Sequence, residues 1–134
     1  MPGFEISSDP SRLDLDVIHG FLSTSYWAQG RTRETVERAL RNSICFGAYR
    51  QGRQAGFGRI VTDRAVFAYL ADIFVLPEYR GQGLGKTLVG AMLDHPDIRG
   101  LPAVLLRTRD AHGLYAQFGF EPAARPEELM SLRT

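Results

Sequence analysis

The segment from Asp72 to Lys86 limits the fold and the chemistry of this chain more than any other stretch. An apolar run ends at Leu76, and glycines follow at positions 81, 83 and 85, where a helical pattern of apolar residues begins. Glycine permits tight turns and lets a ligand approach the backbone closely. The first N–H groups of a helix lack partners inside the helix, and the helix dipole favours an anion there. This strand–turn–helix pattern therefore predicts a phosphate or pyrophosphate site.

Spacing distinguishes three kinds of phosphate-binding loop. Gly85-Lys86-Thr87 matches the end of the P-loop, but that pattern needs glycine where this chain has Arg80. The dinucleotide pattern G-x-G-x-x-G also fails, because its third glycine falls on Lys86 or on Leu88. A third pattern, [RQ]-x-x-G-x-[GA] preceded by V-x-P-x-[YF]-R, fits at every fixed position. The matching residues are Val75-Leu76-Pro77-Glu78-Tyr79-Arg80 and Arg80-Gly81-Gln82-Gly83-Leu84-Gly85.

These two patterns together resemble the acetyl-CoA pyrophosphate loop of the GNAT superfamily of N-acetyltransferases. A later segment, from Leu114 through Tyr115 to Gly119-Phe120, is similar to the family's tyrosine followed by x-x-x-G-F. The resemblance covers roughly residues 45 to 120, and more weakly the amino-terminal strand and helices. The chain departs from the family at Asp110, where many relatives carry asparagine. As a short polar side chain, Asp110 is expected to cap the helix that follows it.

The resemblance implies a binding site for acetyl-CoA, used as a co-substrate. The backbone of Phe74 and Val75 would align the pantetheine arm and the acetyl carbonyl, and an N–H group near Phe74 would be the oxyanion donor. The Arg80 side chain and the backbone of the following loop would hold the pyrophosphate. The loop residues assigned to this cofactor site are Gly81, Gln82, Gly83, Leu84, Gly85 and Lys86.

Two residues are candidates for catalysis. The resemblance implies that Tyr115 lies near the sulfur of CoA, where a phenol with a pKa near ~10 can protonate the departing thiolate. The alternative is a tyrosine at the edge of the core. Asp72 lies in the strand before the loop, and burial would raise its pKa toward that of a useful general base. Pairing of Asp72 with Arg59 or Arg107, and a water relay in place of the base, remain open.

The residues on the acceptor side are less well defined. Tyr26 and Trp27 follow the first helix, where relatives often form a wall of the acceptor cleft. Their rings can hold a cation or an apolar group, while packing between two helices is the alternative. Tyr69 and His112 are weaker candidates. The resemblance implies direct attack by a primary amine in a ternary complex, on a small molecule or on a peptide.

The pattern of apolar residues predicts an α+β fold. Strands are expected at 4–7, 45–50, 55–61, 66–75 and 103–106, with a weak strand signal at 130–132. The segment Gln51-Gly52-Arg53 predicts a hairpin-like turn between the second and third strands. Helices are expected over 13–22, after Thr32 as an N-cap, over 83–93 and over 111–118. The resemblance adds a GNAT-like mixed, mostly antiparallel sheet of about six to seven strands with four helices, in a three-layer α/β arrangement.

Composition gives no sign of a nucleic-acid, membrane or metal partner. The 16 basic and 15 acidic residues leave a net charge of +1, too small for a nucleic-acid surface. No apolar run approaches the ~20 residues that span a membrane, and no signal-peptide pattern begins the chain. The three histidines are scattered and Cys45 lies apart from them. We therefore expect a cytoplasmic protein with one N-acetyltransferase domain over residues 1–134, with a homodimer left open.

Two other functions are compatible with parts of these motifs. A non-catalytic acyl-CoA-binding or regulatory module of the same fold would bind CoA without turnover. A nucleotide-binding protein would use Gly85-Lys86-Thr87 for ATP, although the chain offers no convincing acidic strand for magnesium. Responses to CoA, to ATP and to amines distinguish these functions from an N-acetyltransferase.

Overall fold

The protein, in a computed structural model that describes residues 3–133, combines five strands with four α-helices. This confirms the α+β fold with a mixed sheet. The strands are β1 (Phe4–Ser7), β2 (Ile44–Arg50), β3 (Arg53–Thr62), β4 (Phe67–Val75) and β5 (Ala103–Leu106). The helices are α1 (Leu15–Leu22), α2 (Arg33–Arg41), α3 (Leu84–Leu93) and α4 (His112–Ala116). None of the helices within the described range is long and apolar enough to cross a membrane.

The strands form one sheet in chain order, from β1 to β5. The first four pair antiparallel, and β5 lies parallel to β4 because α3 carries the chain back along the sheet. The turn between β2 and β3 consists of Gln51 and Gly52, with φ angles of 50° and 78°. Two residues with positive φ match the twist of an antiparallel hairpin, which confirms the predicted turn.

Helices cover both faces of the sheet. On one face, α1 and α2 pack against β3 and β4 in a cluster built on Ile18, Leu22, Val36, Phe57 and Phe74. On the other face, α3 packs in a second cluster built on Ile60, Leu70, Leu88 and Met92. Each such side chain stabilises the fold by about 1.5–3 kcal/mol when fully buried. The sheet therefore lies between two helical layers.

A β-bulge interrupts β4 at Asp72 and Ile73, which together face the single residue Gly58 of β3. Asp72 has a φ angle of 55°, in the left-handed region that aspartate enters more readily than most residues. Side chains of a strand normally alternate between faces, so an extra residue shifts the pattern by one. Leu70 accordingly packs with the α3 cluster, whereas Phe74 packs with the α1–α2 cluster. The bulge thus turns Asp72 toward the α1–α2 face.

The sheet has five strands in the described residues, so the expected number of about six to seven is wrong. Residues 130–132 form no strand, and Met130 and Leu132 are 93% and 89% exposed. Pro122 and Pro126 interrupt the tail, and proline has no N–H group to donate to a neighbouring strand. The tail therefore ends as irregular chain after a short 3₁₀ turn at Pro126–Glu128.

One of the two predicted helix N-caps is confirmed and the other is wrong. Thr32 caps α2 as predicted, since its hydroxyl accepts the N–H of Thr35 at 3.2 Å. The expectation that Asp110 caps α4 is wrong, because Ala111 holds the N-cap position without a side-chain hydrogen bond. The N–H of Ala111 instead donates to the hydroxyl of Thr108 at 3.0 Å. Asp110 is thereby left on the exposed surface of this loop.

Candidate active site

A cleft opens where β4 and β5 part. The last paired residues are Leu70 and Leu106; β4 then continues to Val75, while the chain leaves the sheet after β5. The edge of β4 from Ala71 to Val75 therefore has no β5 neighbour. The cleft has a volume of ≈ 1240 Å³. This exceeds the 300–1,000 Å³ typical of a pocket for one small ligand, so two substrates can share it.

Six of the thirteen predicted site residues line this cleft. The loop residues 81–86 and Val75 do not line it, but the loop runs directly from Arg80 into α3 at one end of it. Tyr69 also lines the cleft, whereas His112 does not. The predicted site residues that line it are Tyr26, Trp27, Asp72, Phe74, Arg80 and Tyr115.

The loop before α3 needs glycine for its backbone shape. Gly81 and Gly83 have φ angles of 79° and 80°, in the left-handed region where a Cβ atom causes strain. Gly83 is the N-cap residue of α3 and supplies no side-chain cap. The first N–H groups of α3 are therefore without a capping side chain, as an anion site at a helix start requires. Gly85 has room for a Cβ, whose nearest neighbours would be 3.8 Å away.

Arg80 links this loop to the cleft. Its Nε donates to the carbonyl of Val75 at 2.9 Å, which fixes the stem of the side chain against the end of β4. Its guanidinium lies 6.0 Å from the ring centroid of Phe21 in α1, within range of a cation–π contact. Both contacts hold the exposed Arg80 side chain beside the cleft, which it lines.

Asp72 is the centre of a buried hydrogen-bond network. Arg59 Nε and Arg31 Nη1 donate to the same carboxylate oxygen at 2.7 and 2.9 Å, and Trp27 Nε1 donates to the other oxygen at 2.8 Å. The Asp72 side chain is 4% exposed. Arg59 also donates to the hydroxyl of Ser43 at 3.1 Å. Two guanidinium groups thus share one carboxylate, and the network retains an excess positive charge.

The expected rise in the pKa of Asp72 is wrong. Burial does raise it, but the hydrogen bond and charge of Arg59, with the charge of Arg31 and the hydrogen bond of Trp27, outweigh burial and hold it below its ordinary value. Arg59 was one of the alternative partners, whereas Arg107 forms no ion pair with Asp72. A strongly ionised, fully hydrogen-bonded carboxylate is a weak base, so this geometry does not favour Asp72 in proton abstraction.

Tyr115 lies in α4 with its ring at the wall of the cleft. The residue is 8% exposed, and its ring meets Phe120 edge-on at 5.9 Å between centroids. Beyond the end of α4, the chain turns at Gly119, with a φ angle of 95°, which brings Phe120 back against the helix. Burial, with smaller contributions from Tyr26 and Asp110, raises the pKa of Tyr115. The phenol therefore stays protonated at neutral pH.

Tyr26 and Trp27 form an aromatic wall between α1 and α2. They are 48% and 39% exposed, so they are not a buried helix connection, and their rings meet edge-on at 5.1 Å. The Arg109 guanidinium lies 3.7 Å above the Tyr26 ring, and the Arg109 N–H donates to the Tyr26 hydroxyl at 3.3 Å. One face of Tyr26 is thus already occupied by a cation. These contacts join the α1–α2 loop to the chain after β5 across the cleft.

Known proteins resemble this chain in sequence and in overall fold. The acetyltransferase (GNAT) domain pattern matches residues 41–122, more than half of the chain. A Gibberella zeae protein, provisionally named an acetyltransferase, is 31% identical in an alignment of 135 residues that spans 84% of this chain and 75% of the relative. The chain belongs to the GNAT family of acetyltransferases. The predicted family resemblance is thereby confirmed.

A solved GNAT structure shares the whole fold. The crystal structure of a protein from Xanthomonas campestris pv. campestris, provisionally assigned as a GNAT acetyltransferase, has a TM-score of 0.95 and 47% identity over 100% of this chain and 95% of that one. An uncharacterized N-acetyltransferase of Prochlorococcus marinus is 30% identical over 106 residues, which cover 75% of this chain and 58% of the relative. The similarity therefore extends well beyond the loop and tyrosine motifs.

Some cleft residues of this GNAT acetyltransferase carried no signal in the sequence. Arg31 and Arg109 were not expected in the site, because Arg31 meets Asp72 across 41 residues and Arg109 meets Tyr26 across 83. Arginine is the common basic residue of this chain, so its type alone distinguished neither position. Within residues 3–133, no group of three or more His, Cys, Asp or Glu side chains is placed to hold a metal ion.

Proposed function

We propose that this GNAT protein is an acetyl-CoA-dependent N-acetyltransferase that acetylates a primary amine, on a small molecule, by direct transfer in a ternary complex. The observation that supports it best is the cleft between β4 and β5. An uncapped helix start and Arg80 lie at one end of this cleft, Tyr115 on its wall, and the Tyr26–Trp27 wall on the acceptor side. Two substrates can therefore meet beside one protonated phenol.

The cofactor end fits a pyrophosphate by its chemistry. Two left-handed glycines leave the backbone bare beside the first N–H groups of α3, and Arg80 adds a guanidinium fixed by the Val75 carbonyl. N–H groups at a helix start and a guanidinium are both suited to phosphate oxygens. We assign the open edge of β4 at Phe74 and Val75 to the pantetheine arm and the acetyl carbonyl. When bound, acetyl-CoA supplies the activated acetyl group.

In this proposal Tyr115 is the general acid. Thiolate leaves when an amine attacks the thioester, and a phenol that stays protonated can donate to the thiolate as it develops. A covalent acetyl-cysteine is not part of the proposal. Cys45 is buried in β2 and does not line the cleft, and burial raises the pKa of its thiol to about 11. A thiol held protonated in this way is a poor nucleophile.

The amine must lose a proton before it attacks, and we propose that the charge of the cleft promotes this step. Arg31 and Arg59 outnumber Asp72, and positive surroundings disfavour an ammonium ion relative to the neutral amine. Water then carries the proton away, so Asp72 positions Arg31, Arg59 and Trp27 and does not act as the base. This assigns the water relay rather than Asp72 to deprotonation.

Release of free thiol from acetyl-CoA, measured over a panel of primary amines, tests the proposal. We expect turnover with at least one amine, and we expect Tyr115→Phe to lower kcat by about 10²–10⁴-fold, the usual contribution of a positioned acid. Tyr79→Phe is the matched control, because Tyr79 lies outside the cleft and the V-x-P-x-[YF]-R pattern accepts phenylalanine there. CoA binding without thiol release from any amine would instead support a non-catalytic module.

A further inference from the structure

The cleft concentrates positive charge that the whole chain lacks. Its lining contains two aspartates, Asp72 and Asp110, against six arginines, a formal excess of +4. The entire chain has a net charge of only +1. The remaining surface is therefore net negative, and the positive charge is localised at the site. The six arginines are Arg31, Arg59, Arg80, Arg107, Arg109 and Arg133.

Few of these charges are neutralised by acidic side chains. Arg31 and Arg59 share the carboxylate of Asp72, and the Arg31 side chain remains 25% exposed. Among residues 3–133, neither Arg107 nor Arg109 forms an ion pair with Asp or Glu. Arg109 lies on the face of Tyr26 instead. Unpaired guanidinium groups in a concave site attract anionic ligands, and their planar fork suits carboxylate and phosphate oxygens.

The pyrophosphate of CoA does not account for all of this charge. Arg80 belongs to the loop end of the cleft, where the start of α3 is available to phosphate. Arg109 lies on the ring of Tyr26, and Arg31 reaches Asp72 in the bulge of β4. Arg107 and Arg109 follow the end of β5, on the far side of the gap from β4. An anion other than the pyrophosphate is needed to match these positions.

We propose that the acceptor is an amine that also carries an anionic oxyacid group, a carboxylate or a phosphate, and that Arg31, Arg107 and Arg109 bind this group. The inference rests on the proposed N-acetyltransferase function and names its substrate class. A purely cationic amine meets excess positive charge in the cleft and finds one face of Tyr26 already covered by Arg109. An anionic group offsets this repulsion while the amine is directed toward the acetyl group.

Binding of inorganic phosphate to the CoA-saturated protein tests the anion site without turnover. Saturating CoA fills the pyrophosphate position, so further saturable stabilisation by phosphate, relative to chloride at matched ionic strength, reports a second anion site. We expect the double variant Arg107→Gln/Arg109→Gln to weaken phosphate binding by about tenfold or more, as loss of hydrogen bonds to a charged group does. Arg99→Gln is the control, because Arg99 is exposed and lies outside the cleft. Absence of saturable binding, or equal binding by the double variant, would refute the site.

Pairs of amines that differ only in the anionic group test the substrate class and distinguish a carboxylate from a phosphate. We expect faster thiol release from amino acids than from their primary amides if the group is a carboxylate, and faster release from phosphoethanolamine than from ethanolamine if it is a phosphate. The double variant should raise KM for the preferred amine and leave KM for acetyl-CoA near wild type. Equal rates of thiol release from the anionic and the neutral amine of each pair would overturn this inference but leave the proposed N-acetyltransferase function standing. Phosphate binding without thiol release from any amine would refute the N-acetyltransferase and keep the anion site.

Discussion

Asp72 connects three separate parts of the chain and occupies the one strained position in β4. Its carboxylate receives hydrogen bonds from Trp27, Arg31 and Arg59, and its backbone has a φ angle of 55°. Removing one partner from a buried ion pair leaves uncompensated charge, which is more costly than the pair itself is stabilising. The negative charge of Asp72 is therefore needed to hold Trp27, Arg31 and Arg59 in place in the cleft.

We expect Asp72→Asn to lower the free energy of unfolding at neutral pH by about 3 kcal/mol, at the low end for a broken buried pair because Arg31 is partly exposed. Asparagine keeps the shape and tolerates positive φ, so the loss reports charge rather than strain. Chemical denaturation is the measurement. Asp97→Asn removes the exposed pair with Arg64 and is the control, with an expected loss under about 1 kcal/mol. Equal losses in the two variants would contradict the role given to Asp72.

The effect of Asp72→Asn on the free energy of unfolding should also depend on pH. The folded chain lowers the pKa of Asp72, so the ionised group stabilises the fold above its unfolded pKa, and this stabilisation is lost as the pH falls through the lower folded value. The difference in the free energy of unfolding between wild type and Asp72→Asn should therefore be largest near neutral pH and shrink below about pH 4. A difference that grows on acidification would show that the pKa is raised instead.

Single residues show where sequence reasoning succeeds and where it fails. Tyr115 and Arg80 belong to local motifs of the GNAT family, so the family resemblance implied their common presence in the cleft. The sign of the pKa shift at Asp72 depended on two arginines, and only Arg59, in the neighbouring strand, was predictable as a partner. Arg31 reaches Asp72 through the packing of the α1–α2 loop, which no local pattern encodes.

Among the elements, the turn into α3 determines the cofactor site. Gly83→Ala places a Cβ at a φ angle of 80°, at the backbone surface that we assign to the pyrophosphate. We expect a strain of about 1 kcal/mol and at least about tenfold weaker CoA binding, measured by calorimetric titration. Gly100→Ala is the matched control, since Gly100 has a φ angle of 83° and no atom within 4 Å of an added Cβ. Equal CoA affinity in the two variants would contradict our placement of the loop.

Strands and helices followed from the sequence wherever their pattern was local. β5 was predicted at its observed bounds, and the β2–β3 turn was predicted one residue too long, because Arg53 already belongs to β3. The bulge in β4 was not predicted, because Asp72 and Ile73 read as continuous strand, and only pairing with β3 reveals the extra residue. The missing final strands follow from Pro122 and Pro126, whose effect outweighed the apolar residues at 129, 130 and 132.

The whole molecule owes its site to topology rather than to composition. The net charge of +1 gave no hint of a cleft with a formal excess of +4, because that excess arises only when arginines from the α1–α2 loop, β3 and the chain after β5 converge. The gap between β4 and β5 likewise depends on strand lengths, since β5 has four residues and β4 has nine. Family motifs indicated the fold, while the shape and charge of the cleft required the structure.

Thermal unfolding with acetyl-CoA, free CoA and Mg-ATP added separately tests the central claim most directly. A ligand at ~100 times its dissociation constant adds about 2.7 kcal/mol, which for a domain of this size raises Tm by roughly 10 °C. We expect this shift with both CoA species and none with Mg-ATP. Stabilisation by Mg-ATP alone, or by none of the three, would contradict an acetyl-CoA site at the start of α3.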